Sequence, residues 1–144
     1  NDTDYEFSSG QIELPAPLNT PVLESNPPVY PKGFFLNSYN HSDDMFMFIT
    51  KYYDGLEANR LYDFDFELTF ATNAQKNCVG IGGAPGESVT IKAGASKIEP
   101  KPVNDGNSHY SLNIDKGNQT LGGTDAIVLG NFANDRECGS ADTN

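Results

Sequence analysis

From Leu61 to Thr72 the sequence reads LYDFDFELTFAT, and apolar and polar residues alternate along it. Tyr62, Phe64, Phe66, Leu68 and Phe70 fall on one side, with Asp63, Asp65, Glu67 and Thr69 on the other. Successive side chains of a β-strand point to opposite faces, so this period predicts a strand with a buried aromatic wall and a wet, acidic face. Shorter alternations predict further strands: SVTIKA turns Val89 and Ile91 inward, and SHYSLNI turns Tyr110, Leu112 and Ile114 inward. DAIVLGNF is apolar nearly throughout, the pattern of a strand covered on both faces. Residues 78–96, CVGIGGAPGESVTIKAGAS, read as two strands joined by a Gly-Pro turn. Turn pairs punctuate these runs at Asp54-Gly55, Gly82-Gly83, Pro85-Gly86, Asp105-Gly106, Lys116-Gly117 and Gly122-Gly123.

The segment HSDDMFMFITKYYDG fits two periods. A helix capped by Ser42 or Asp43 would stripe Met45, Phe48, Ile49 and Tyr52. Its Phe, Ile, Thr and Tyr content favours a pleated surface instead, and strand is the preferred reading. Upstream, six of the nine prolines lie between Leu14 and Gly33. Each removes a backbone donor and biases its predecessor to extended geometry, which excludes a helix or a central strand there. The expected organisation is therefore a Pro-rich extended arm over residues 1–33 and one domain over residues 34–144. Short strands with regular turn signals and no convincing helix make that domain all-β, an antiparallel β-sandwich of jelly-roll type.

Length and charge narrow the partners. A chain of 144 residues fits one domain and removes roughly 68–70% of its unfolded surface on folding. Nine Lys and Arg stand against 20 Asp and Glu, a net charge of −11. That field repels nucleic acid and anionic lipid, so neither is an expected partner. No stretch approaches the ~20 apolar residues needed to span a bilayer, so direct membrane insertion is not expected either. The polar start NDTDYEFSSG fits a mature product whose export signal has been removed. Cys78 and Cys138 lie far apart without a CxxC, and their simplest use is one disulfide in an oxidising compartment; the other reading is two free thiols.

Candidate chemistry is sparse. Gly80-Ile81-Gly82 would open a GxGxxG, but the third glycine position is Pro85 and a strand follows where a dinucleotide loop needs a helix. These glycines serve turns or a close approach by another strand. Ser42 adjoins His41, yet neighbours on a strand face opposite ways and cannot form a triad. The acids of the 61–72 strand read as a solvated face. Calcium is the ion the loops fit best as a structural ligand, with Asp43 and Asp44 the leading members; no other cofactor is expected. Asn40 and Asn118 head glycosylation sequons, as does Asn1. Tyr39, Tyr52, Tyr53 and Tyr110 are the candidate ligand-binding aromatics, because a tyrosine ring offers an apolar face with a polar edge. No catalytic residue is assigned.

The words NHSDDMFMF (residues 40–48), GGAPGESVTIKAGASKIEP (82–100) and ECG (137–139) resemble a group of bacterial exported proteins and lipoproteins without an assigned activity. PGESV and KAGAS are the most specific of them, and the resemblance spans about residues 33–139. It implies export to the periplasm, the cell surface or the medium, with a lipid anchor on the precursor, and a β-sandwich. Members of that group continue past the ECG region into further strand-like sequence, which implies C-terminal strands that this chain lacks. Separately, GLEANRLYDFDFELTFAT looks like the strand entry of jelly-roll carbohydrate-binding modules and fibronectin-like domains. Three functions follow as expectations. The leading one is a non-catalytic extracellular module binding glycan or another surface polymer. The others are a cell-envelope assembly protein that adds strands to an envelope partner, and a carboxylate- or calcium-assisted hydrolase.

Overall fold

The computed structural model describes residues 7–14, 31–39, 45–104, 106–107 and 109–140. Among these the secondary structure is entirely β. The chain divides into two compact units, Asn1–Phe48 and Ile49–Asn144.

In the first unit β1 (Phe7–Glu13) pairs antiparallel with β2 (Lys32–Ser38), in a register that sets Gly10 opposite Phe35. The arm expected over residues 1–33 thus begins with a strand that β2 takes as its partner. Residues 15–30, with most of the prolines, lie outside the described residues. So do Asn40, His41, Ser42, Asp43 and Asp44. Beyond them, Phe46 and Phe48 stack with ring centroids 5.9 Å apart. Side chains two positions apart meet this way on one face of an extended chain, not on a helix, although residues 45–55 join none of the strands and the strand reading of this segment is corrected.

The second unit holds three ribbons. β4 (Thr90–Gly94) pairs antiparallel with β7 (Ala126–Asn131), and β5 (Pro102–Asn104) pairs antiparallel with β6 (Tyr110–Leu112). The short β3 (Gln75–Lys76) runs parallel to β8 (Asn134–Glu137). Where β4 meets β7 the register shifts: Ile91 faces Gly130 and Lys92 faces Val128, leaving Leu129 as the extra residue of a bulge. At four of the six predicted turn pairs a glycine takes the left-handed conformation, Gly55, Gly82, Gly106 and Gly117 lying at φ between +72° and +88°, while Gly122-Gly123 forms no turn.

Every described sheet has two strands. A lone ribbon has no second layer to cover its apolar face, and the burial follows from this. Among the described residues no large hydrophobic side chain is buried. Three strand expectations are corrected accordingly. LYDFDFELTFAT joins no ladder, and its aromatic side is 37–53% exposed rather than a core wall. β7 is open, not covered on both faces, with Ile127 56% exposed. In residues 78–96 only the second predicted strand forms; Cys78 to Ser88 make loop and turns instead.

The glycines of that stretch have a structural use. A Cβ on Gly94 would run into the backbone of Asp125 and of Ala126, where β7 begins. One on buried Gly86 would lie 2.7 Å from the Ala133 methyl. At Gly94 the facing chain claims the room a side chain would occupy, as the sequence predicts, whereas a Cβ on Gly80 would meet the Gly83 carbonyl of its own turn at 2.7 Å.

Candidate functional site

Phe66, Leu68 and Phe70 form one wall of a groove of about 320 Å³, and Ile91 and Leu129 form the other. Alternation places the first three on one side of their segment. The bulge gives Leu129 to the opposite wall by adding a residue to β7. Glu67, Gly130 and Asn131 complete the lining.

The segment that carries the first wall is anchored at its ends. At the start, the Tyr62 hydroxyl accepts a hydrogen bond from the Glu57 amide at 2.7 Å, and Glu57 pairs with Arg60. At the finish, Asn134 donates to the carbonyls of Thr72 (3.2 Å) and Ala74 (2.7 Å). Phe70 stacks on Phe132 with centroids 5.7 Å apart, and Phe132 is held by amide bonds to the carbonyls of Val89 and Gly86. Between these anchors, residues 63–69 make no backbone hydrogen bond to any described residue. The lining therefore provides apolar contact with one carboxylate. Among its lining residues no nucleophile stands beside a base.

Behind the groove a polar latch fixes β4. The Lys92 ammonium donates to the carbonyls of Lys116 (2.9 Å), Asn118 and Leu121 (2.7 Å), so the loop 115–125 wraps around one cation. Burial pushes the Lys92 amine below its ordinary value, Lys116 pushes the same way, and Asp115 opposes both. Asp115 ties the loop's ends together: its carboxylate accepts from the Thr124 amide (2.9 Å), the Thr124 hydroxyl (3.1 Å) and the Gly117 amide (3.0 Å). Those bonds, the Thr124 amide first, hold its carboxyl below the usual range, and the Lys92 charge adds to them. In return Asp125 accepts from the Asp115 amide at 2.8 Å.

The two cysteines are joined, with Cα atoms 5.0 Å apart and a separation of 60 positions in sequence. Polar bonds surround the bridge: the Cys138 amide donates to the Lys76 carbonyl, Gln75 bonds Gly139 and Ser140, and Asn77 donates to Glu137 at 2.9 Å. Asn77, then Lys76, hold the Glu137 carboxyl below its usual value.

The predicted tyrosines are exposed: Tyr39 66%, Tyr52 88%, Tyr53 66% and Tyr110 48%. No ring pair forms among Tyr52, Tyr53 and Tyr110, and Lys51 lies over the Tyr53 ring at 4.9 Å. Tyr39 belongs to the other unit. Asn118 is exposed, and its side-chain oxygen accepts from the amides of Thr120 (2.9 Å) and Leu121 (2.7 Å), a local turn across the sequon. Among the described residues no three His, Cys, Asp or Glu side chains gather as cation ligands, and Asp43 and Asp44 lie outside them, as does Asn40. Sequence reasoning missed Lys92 and Asp115. The run of Gly, Asn and Asp in DKGNQTLGGTD signalled a structured loop, but a lysine alternating along a strand gave no sign that a loop would close on it.

No known protein family matches the chain, and neither the curated proteins nor the solved structures include a significant match to it. The all-β structure and the disulfide are thus direct findings on this molecule. No helix among the described residues is long and apolar enough to cross a membrane.

Proposed function

We propose that this protein is a non-catalytic, extracytoplasmic binding module on a β-sandwich plan, and that it engages its ligand through the apolar groove. One observation carries this reading: the side chains whose pattern predicts a core wall line an open groove instead. Contiguous exposed apolar surface on a folded chain marks an interaction site more often than not. The disulfide supports an oxidising compartment, in accord with the resemblance to exported bacterial proteins.

The same geometry favours a polypeptide over a glycan as ligand. Sugar platforms use aromatic rings whose faces are free and grouped, whereas Tyr52, Tyr53 and Tyr110 form no ring pair with one another and Tyr53 already carries Lys51. The groove is walled by phenylalanine, leucine and isoleucine, which lack the polar edge that sugar hydroxyls use.

Titration with an apolar fluorescent dye, beside a polysaccharide panel and a glycoside and ester turnover panel, tests the proposal. The expected result is saturable dye uptake that Leu129→Asp abolishes, with no polysaccharide binding and no turnover. Saturable turnover, or dye uptake indifferent to Leu129→Asp, would overturn it.

A further inference from the structure

Resting on the binding-module reading, we infer that the groove accepts one β-strand of another polypeptide, laid beside residues 61–72, whose residues alternate between apolar and basic. Three features of this segment define that occupant.

Its backbone is the first. Among the described residues the amides and carbonyls of 63–69 find no backbone partner while Tyr62 and Thr72 are fixed at either end, so a partner strand can complete a ladder without first ordering the acceptor. Preorganisation of this kind lowers the entropic cost of association. The second feature is the apolar side. Phe66, Leu68 and Phe70 open onto the groove opposite Ile91 and Leu129, and a strand paired here must turn every second side chain into that space.

Charge on the opposite side is the third. Asp63 and Asp65 lie there, Glu67 stands at the groove's margin, all three are exposed, and the ion pairs among the described residues, Arg60 with Glu57, Lys76 with Glu137 and Lys101 with Glu99, leave them without a cation. Directly opposed unlike charges stabilise a pair of strands and like charges destabilise it, so the intervening residues of the partner are lysine or arginine. This also decides against a second copy of the chain. Self-pairing would set one acidic row against another, between molecules each bearing a net charge of −11.

The test uses the whole chain with its disulfide intact and two capped decapeptides, one alternating lysine with valine and one alternating glutamate with valine. Binding is read by fluorescence anisotropy at low and high salt, and amide exchange locates the bound strand. The lysine peptide is expected to bind saturably and about tenfold tighter than the glutamate peptide, a difference of ~1.4 kcal/mol. High salt should narrow that gap, because the acidic row is exposed. Amides over 63–69 should gain protection, and the triple variant Asp63→Asn, Asp65→Asn, Glu67→Gln should remove the preference while retaining the apolar contribution. Equal binding of both peptides with protection at 63–69 would overturn the basic partner yet leave the binding-module reading standing. Protection of 63–69 without peptide, together with dimers in sedimentation, would overturn it in favour of a second copy. If dye enters the groove but neither peptide protects 63–69, strand addition is refuted; if dye also fails to enter, the broader reading falls with it.

Discussion

Phe70 lies flat against Phe132, the two rings 8° from parallel, and through that contact the first wall of the groove is joined to the chain that leaves β7. The relationship spans 62 residues of sequence within one unit, and it holds Phe70 where the strand pattern alone could not. A double-mutant cycle on Phe70→Ala and Phe132→Ala should show a coupling of about 1 kcal/mol in urea unfolding, the usual worth of an aromatic pair beyond its burial. Additive effects would mean that the rings do not support one another.

Lys92→Met should release the loop that closes around the ammonium. The methionine keeps the stem and removes three hydrogen bonds, each from a charged donor. Amides over 116–122 are expected to exchange faster while the β4–β7 ladder persists, with a stability loss of about 1–3 kcal/mol. Exchange measured residue by residue checks this, and faster exchange of β4 itself would assign the lysine a wider role.

Acid should act on the same loop. Hydrogen bonds depress the folded-state value of the Asp115 carboxyl, so its contribution is complete above the unfolded value of about 3.9 and disappears as pH falls through the folded one. Glu137 behaves alike at the disulfide, held down by Asn77 and Lys76. Thermal unfolding between pH 6 and pH 2 should therefore show a drop confined to the acid end, on the order of pH 4 and below. In Asp115→Asn the drop should be shallower, with lower stability at neutral pH.

Gly94→Ala should be costly although glycine is no strand former. The added methyl would meet the backbone of Asp125 and Ala126, which cannot give way without separating β4 from β7. A loss of about 1–3 kcal/mol is expected, as for overpacking elsewhere, and the same change at Gly10, where nothing lies within 4 Å, serves as the mild control.

Local chemistry was readable along the chain and pairing was not. Asp54-Gly55 and Lys116-Gly117 announce turns because a left-handed residue is needed and glycine supplies it, and both glycines adopt that conformation. Gly94 likewise announces a close neighbour. Phe64 and Phe66 do stand on one side of an extended segment, stacked 6.4 Å apart, as their alternation requires. What alternation does not encode is the strand on either flank, and for residues 63–69 there is none among the described residues. The β1–β2 ribbon escaped notice for a related reason: FSSGQIE is too polar and glycine-broken to show a period, and its strand character comes from lying against KGFFLNS. Lys92 needed a loop more than 20 residues downstream to define it. The groove was half legible, its Phe66, Leu68 and Phe70 wall visible as an apolar face and its Leu129 wall dependent on a bulge that no residue pattern announces.

The bridge between Cys78 and Cys138 also governs how the molecule bears load. Tension applied through the chain on either side passes from one sulfur to the other and bypasses the residues between them, among them the whole β4–β7 ribbon and the latch around Lys92. With the two cysteines 60 positions apart, roughly 200 Å of extensible chain stays locked away until the bond is reduced. Under pulling, one wall of the groove lies inside the shielded span and the other, with Phe66 and Phe70, lies outside it. A stretched chain would therefore lose the Phe66 wall first, shedding a bound strand while the disulfide-protected half kept its shape.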